Sequence, residues 1–244
     1  MRLVCELSLQ NETFPCDFRP LFLSFFKDAL GQYEEGTYLE HFYAPGVTKP
    51  YSFAVWLGKA AFLGEQITID QKRLKLFWST SDFAAGIAFY NSLLLQKRKA
   101  YPLAGGNQMC LESIAIERET VITKEVIDVS FASPLCVRKH NPENNKDLYY
   151  SYAKEDFQEV LQEVMQRQIS SRNKSLLPLL KGFSVEPLQC KKTVVRHHRQ
   201  MIEVTIGQFR LRGDIRILTH FYLSGLGSRV SAGFGYFNII AQGR

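Results

Sequence analysis

Leu3, Cys5, Leu7 and Leu9 occupy every second position between polar residues, the period of a half-buried strand. Phe22, Phe25, Phe26, Ala29 and Leu30 then take up the i, i+3, i+4, i+7, i+8 spacing of an amphipathic helix that stops at Gly31. Strands are predicted at about Tyr51–Leu57 and Arg73–Ser79. A second helix starts from the Ser81/Asp82 cap and runs to about Lys99, with Leu94 and Leu95 on its apolar face. Met109 to Ile122 reads as a further strand. The order β-α-β-β-α-β then repeats. A strand at Val129–Val137 precedes a helix from Lys154 to about Ile169, with Phe157, Val160, Leu161, Val164 and Met165 at helical spacing. Strands at Phe183–Leu188 and Ile202–Arg212 lead to a short helix capped by Asp214 and closed by Gly225, and the last strand is Tyr236–Ala241. Two tandem units of this order predict an α+β chain of two ferredoxin-like domains, 1–125 and 126–244, joined between Ile122 and Val129.

A chain of 244 residues, 45% hydrophobic, is long enough for two such cores. Its net charge of +6 favours an anionic partner. Five scattered cysteines (Cys5, Cys16, Cys110, Cys136, Cys190) form no C-x-x-C pair, which argues against a disulfide framework and for a reducing compartment. Glu6 interrupts any signal-like apolar start, and no run of 18 apolar residues exists, so a cytoplasmic protein without membrane contact is expected.

The chemistry concentrates near the C-terminus. Gly225, Gly227, Gly233 and Gly235 follow the pattern G-x-G-x5-G-x-G and enclose Ser228, Arg229 and Ser231 before an apolar strand. Glycines admit positive φ and close backbone approach, and successive amides in such a loop can form an anion nest around a phosphate. The plain alternative is a tight connection between helix and strand. The run is neither a dinucleotide fingerprint nor a P-loop, because its glycines precede a strand and no G-K-[ST] follows. Upstream, Lys191, Lys192, Arg196, Arg199, Arg210, Arg212 and Arg216 face only Glu203 and Asp214 as acids. Set between two strands, they predict a basic hairpin able to track an RNA backbone, or else a solvated charged face. Lys97, Arg98 and Lys99 read as a cationic helix end. Phe53, Trp56, Phe77 and Trp78 read as core, since no RNP-type motif accompanies them.

Two ferredoxin-like units closed by this glycine-rich loop resemble the CRISPR-associated endoribonucleases of the Cas6 family, within the repeat-associated RNA-binding superfamily. A second match lies between the first helix and second strand: Thr37-Tyr38-Leu39-Glu40-His41, then Pro45-Gly46-Val47-Thr48-Lys49-Pro50-Tyr51-Ser52-Phe53. By that resemblance the family's catalytic histidine falls on His41 and its lysine on Lys49. Some members add a tyrosine on the first helix, where this chain has Phe26, a ring that can neither donate nor accept a proton. Tyr43 is the nearby residue able to substitute, with packing as its other role.

The resemblance implies cleavage of CRISPR repeat RNA without metal or other cofactor. The 2′-OH upstream of the scissile bond attacks the phosphate, leaving a 2′,3′-cyclic phosphate and a 5′-OH. Histidine, with an ordinary pKa of about 6.5, suits the proton transfers, and lysine suits the developing charge. His41 would act as base, acid or both. RNA contact would fall to Gly225, Gly227, Ser228, Arg229, Gly233 and Gly235 of the loop and to Lys191, Lys192, Arg196 and Arg199 of the hairpin. The partners implied are the precursor transcript and, in addition, subunits of an effector complex, with the chain a monomer or homodimer.

No metal site is expected. His197 and His198 are adjacent and point to opposite faces of a strand, and neither Cys190 nor His220 has a recognised ligand spacing. His140 sits in a polar loop with no assigned role. Two other classes stand beside the nuclease: a non-catalytic RNA-binding subunit of the same superfamily, and a metabolic or regulatory pair of ferredoxin-like domains. The latter explains neither the basic hairpin nor Arg229.

Overall fold

In order along the chain, the computed structural model, which describes residues 1–198 and 200–243, forms β1 (Arg2–Leu9), β2 (Thr13–Pro15), α1 (Arg19–Gly31), α2 (Thr37–Tyr43), β3 (Tyr51–Trp56) and β4 (Ala60–Leu63). There follow β5 (Gln66–Ile69), β6 (Arg73–Thr80), α3 (Phe83–Leu94), β7 (Ala100–Pro102) and β8 (Gln108–Ile116). The second half holds β9 (Val126–Phe131), β10 (Arg138–Asn141), β11 (Lys146–Tyr149), α4 (Phe157–Arg172), β12 (Ser184–His197), β13 (Gln200–Arg212), α5 (Ile215–Ser224) and β14 (Phe237–Gln242).

The first sheet has the order β3-β6-β1-β8-β7 and the second the order β12-β13-β9-β14. In each, the first strand of the unit lies between the third and fourth, with the second outside the third. This is the ferredoxin-like arrangement that the element order predicts. Antiparallel pairing of β1 with β6 sets Leu3 opposite Trp78, Cys5 opposite Leu76 and Leu7 opposite Leu74. That register puts the apolar set on one face, where Phe22, Phe25 and Phe26 of α1 and Phe89 of α3 cover it. Fully burying each such side chain contributes roughly 1.5–3 kcal/mol. A second core gathers Ile127 and Val129 of β9, Phe209 and Leu211 of β13, α4 and the apolar face of α5.

Several local expectations differ from the fold. The helix predicted from the Ser81/Asp82 cap is α3 and ends at Leu94, not near Lys99, and Arg98 turns to positive φ (62°), so the Lys97–Lys99 run lies in the turn beyond the helix. Trp56, on the outer strand β3, is half exposed, whereas Phe53 and Trp78 are buried as expected. The β2-β5-β4 sheet, the β10–β11 hairpin and α2 add to the predicted elements. Among the described residues no helix is long and apolar enough to cross a membrane.

Two buried arginines join the units. Arg2, at the start of β1, donates from Nη1 to the carbonyls of Tyr222 and Phe237 and from Nη2 to Asn238 at 2.6 Å. Its guanidinium carbon lies 4.3 Å from the ring centres of both Tyr222 and Tyr236. Arg19 donates from Nε to the Gly233 carbonyl at 3.0 Å and stacks on Phe234. The glycine-rich loop therefore packs on α1 and β3 of the first unit.

Candidate functional site

All four loop glycines have positive φ: 76° at Gly225, 103° at Gly227, 85° at Gly233 and 70° at Gly235. A Cβ on Gly233 would come within 2.8 Å of the Phe53 ring, and one on Gly235 would overlap the Leu226 carbonyl. The amides of Gly225, Leu226, Gly227, Ser228, Gly233 and Gly235 donate to Phe221, Gly235, Gln168, Cys136, Val230 and Pro134. Those amides serve the fold, so the expected anion nest is not open at them, and the glycines allow close approach of chain to chain. Arg229 is likewise engaged. Its Nη2 donates to Asp147 and to the Tyr149 hydroxyl, each at 2.9 Å. Arg138 and His140 join the same carboxylate. Burial alone would raise Asp147; hydrogen bonds from Arg138 and His140, with the charges of Arg138 and Arg229, instead hold it at about 2.

His41 stands on α2, a short helix begun by the left-handed Gly36 and anchored by Phe42 in the core. The His41 side chain is exposed and lines a cavity of about 400 Å³ with Thr48, Asp82, Ser171, Arg172, Asn173 and His220. The far wall thus comes from the end of α4 and from α5 of the second unit. Thr48 and Ser171 also line an adjoining cavity of about 390 Å³ with Arg138, Arg167, Ser228 and Arg229. The two adjoining cavities, which share Thr48 and Ser171, together set four arginines between His41 and the glycine-rich loop.

Lys49 lies elsewhere. It lines a separate cavity of about 460 Å³ with Lys27, Tyr43 and His198. Its Nζ sits 4.9 Å from the centre of the Tyr43 ring, with the Lys27 Nζ 5.0 Å from the same ring. Burial and then the Lys27 charge press the Lys49 pKa below its ordinary value. The Tyr43 hydroxyl is 2.8 Å from that of Tyr51, and burial pushes Tyr43 up to about 12, which leaves it a protonated, packed phenol. Phe26 is fully buried against Tyr51, Phe53 and Phe89, so the first-helix position points into the core. The structure does not bring His41, Lys49 and Tyr43 into one cavity.

The hairpin forms as β12–β13, but much of its charge is already paired. Arg196 meets Glu65 of the first unit at 2.6 Å, Arg210 makes a two-pronged contact with Asp128, and Arg216 pairs with Asp214. Lys191 and Lys192 are exposed, with Lys192 4.0 Å from Glu203, and Arg199 lies outside the described residues. His197 is buried edge-on against Phe234; burial first, then the charges of His198, Arg229 and Arg19, pushes it down to about 3, so it is neutral. Among the described residues no cluster of three or more His, Cys, Asp or Glu is placed to hold a metal ion. Sequence reading missed Arg172, Arg138 and Arg167, which carry no motif. For Arg172 the one signal was its place just beyond the predicted helix end near Ile169; α4 runs on to Arg172.

The family model "CRISPR associated protein Cas6, C-terminal" matches residues 117–239. No sequence among the curated proteins matches the chain. Among solved structures, a Cas6-related protein from Pyrococcus furiosus superposes with a TM-score of 0.85 at 21% identity, over 100% of this chain and 99% of its own. A RAMP protein described as binding different RNA substrates gives 0.84 at 21% identity, over 99% of this chain and 100% of its own. A Cas6 solved as a product complex gives 0.72 at 17% identity, over 98% of this chain and 99% of its own. The fold is thus shared from end to end, and the sequence match, which takes in more than half of the chain, makes it a member of the Cas6 family of CRISPR-associated proteins.

Proposed function

We propose that this chain is an endoribonuclease that cuts CRISPR repeat RNA in the precursor transcript. The observation that carries the reading is the placement of His41. An exposed imidazole faces a polar cavity between the two units, and that cavity and the one adjoining it are lined by Arg138, Arg167, Arg172 and Arg229. Such a lining suits a phosphodiester backbone, and an imidazole beside it can move the protons of a transesterification. The nucleophile is the substrate's own 2′-OH. It attacks the adjacent phosphorus and the 5′-oxygen leaves, giving a 2′,3′-cyclic phosphate and a 5′-OH. His41 takes the 2′-OH proton, supplies one to the leaving oxygen, or does both. No metal or cofactor enters the scheme.

A second reading, a non-catalytic RNA-binding subunit of an effector complex, draws on the separation of Lys49 from His41 and on the buried phenyl ring of Phe26. Incubation of repeat RNA with the protein in EDTA decides between them. Cleavage at one position, lost in His41→Ala, is the expected result; tight binding without cleavage favours the subunit.

A further inference from the structure

Arg172 ends α4 with its guanidinium drawn between the two units. Nη1 donates to the Ser224 carbonyl at 3.2 Å and Nη2 to the Lys49 carbonyl, while the enclosed Nε has no partner among the described residues. No carboxylate among the described residues pairs with it, unlike Arg138, Arg196, Arg210, Arg216 and Arg229, each of which has an acid. Two neutral carbonyls do not balance a cation drawn out of water. Burial accordingly presses Arg172 down to about 10. His220 lines the same cavity, and its enclosed Nε2 also lacks a partner among the described residues. Burial, with the Arg172 charge in support, holds His220 down at about 4, so it is neutral near pH 7. The hydroxyls of Thr48 and Ser171 and the Asn173 amide line the same cavity, as does Asp82, whose carboxylate accepts from the Ala85 amide at the start of α3.

A half-buried guanidinium with no carboxylate partner among the described residues, beside an imidazole whose Nε2 is likewise unpartnered among them, in a cavity lined by hydroxyls, has the chemistry of a site for a tetrahedral oxyanion. We propose that Arg172 and His220 hold a phosphate group in the His41 cavity, so that Arg172, rather than Lys49, neutralises the phosphate at which the chain acts. The identification of that group as the scissile phosphate rests on the nuclease reading; the anion site does not. Because Arg172 Nε and His220 Nε2 are both closed off from solvent, the phosphate meets Arg172 at the Nη edge of its guanidinium, and His220 once its ring turns toward the cavity. Through Nη2 the same side chain holds the backbone of Lys49, and so the loop that follows His41.

The test is a titration of the whole protein with inorganic phosphate, against chloride at matched ionic strength. Histidine side-chain NMR signals are the readout, assigned through His41→Gln and His220→Gln. Phosphate should move the His41 and His220 signals together and leave that of His197, buried against Phe234, in place. Arg172→Gln should weaken the effect at least tenfold, and Arg172→Lys should weaken it less. Melting curves check that both variants fold; should Arg172→Gln fail to, the wild-type and Arg172→Lys titrations still decide. Signals that stay in place with wild type, or move at the same concentrations in the folded variants, overturn the proposal. Cleavage of repeat RNA in EDTA by a protein whose two histidine signals ignore phosphate would sink the anion site and leave the nuclease reading standing. Phosphate binding without any cleavage would do the reverse.

Discussion

Replacing Gly235 by alanine and, in a second variant, Gly46 by alanine separates two costs that a glycine with positive φ can carry. Both residues are left-handed, at 70° and 79°. Holding an alanine there costs roughly 1–2 kcal/mol in either case. Around Gly46, in the loop between His41 and Lys49, a new methyl group would meet nothing within 4 Å, so the backbone term is the whole effect. At Gly235 the methyl would overlap the Leu226 carbonyl oxygen and come within 3.1 Å of a Val230 methyl. It would thereby push apart the two loop segments joined by the hydrogen bond from the Leu226 amide to the Gly235 carbonyl, at 2.9 Å. Overpacking adds about 1–3 kcal/mol and the disturbed hydrogen bond about 1 kcal/mol, for a total of roughly 3–6 kcal/mol. For a chain of this length the melting temperature should fall by on the order of 4 °C in Gly46→Ala and 12 °C in Gly235→Ala. Thermal melts followed by circular dichroism measure both. Equal losses in the two variants would refute the view that the loop's glycines serve close approach of chain to chain.

His41→Ala should lower the single-turnover cleavage rate by about 10²–10⁴ while leaving RNA affinity nearly unchanged; near-wild-type cleavage removes His41 from the chemistry. Lys49→Ala, whose ammonium lines a different cavity, should change that rate by less than about tenfold, well short of the loss of an electrostatic group at the reacting phosphate. Stability should fall as pH drops from about 6.5 toward 4. An unfolded histidine protonates near 6.5, whereas burial keeps His197 neutral down to about 3 and His220 down to about 4, so in that window the unfolded chain binds more protons. Each of the two contributes a slope of up to about 1.4 kcal/mol per pH unit, and both contributions are complete above pH 6.5. Urea unfolding of His197→Leu across this window should show a shallower slope than wild type, and an unchanged slope speaks against a buried neutral imidazole.

The order of the ferredoxin-like units was legible because their strands and helices carry large apolar residues at clean periods of 2 and 3.6, as in Leu3 to Leu9 and Phe22 to Leu30. The small sheets were not. Strands of three or four residues such as Thr13–Pro15, or polar ones such as Arg138–Asn141, offer too few positions for a period to show. Trp56 escaped because an outer strand exposes residues that elsewhere would be core. Within the candidate site, His41 and Lys49 stood out through a resemblance in the stretch before β3, yet their assignment to different cavities depends on the fold of α2 and the loop after it. Charge counting along residues 189–216 overstated the hairpin's free charge, since Arg196 finds its acid, Glu65, 131 positions away. Arg172 was hidden for the converse reason. At the end of a helix a cation reads as a complement to the macrodipole, and nothing local shows that its side chain turns inward between two units.

The most direct test of the account uses repeat RNA carrying a single 2′-deoxynucleotide immediately upstream of the cut, with wild-type protein in EDTA. The expected result is binding equal to that of the all-ribose RNA, no cleavage of the deoxy substrate, and a 2′,3′-cyclic phosphate on the ribose product. Cleavage of the deoxy substrate, or cleavage of the ribose substrate only when Mg²⁺ is added, would contradict it, because the nucleophile would then be a metal-activated water and not the substrate's own hydroxyl.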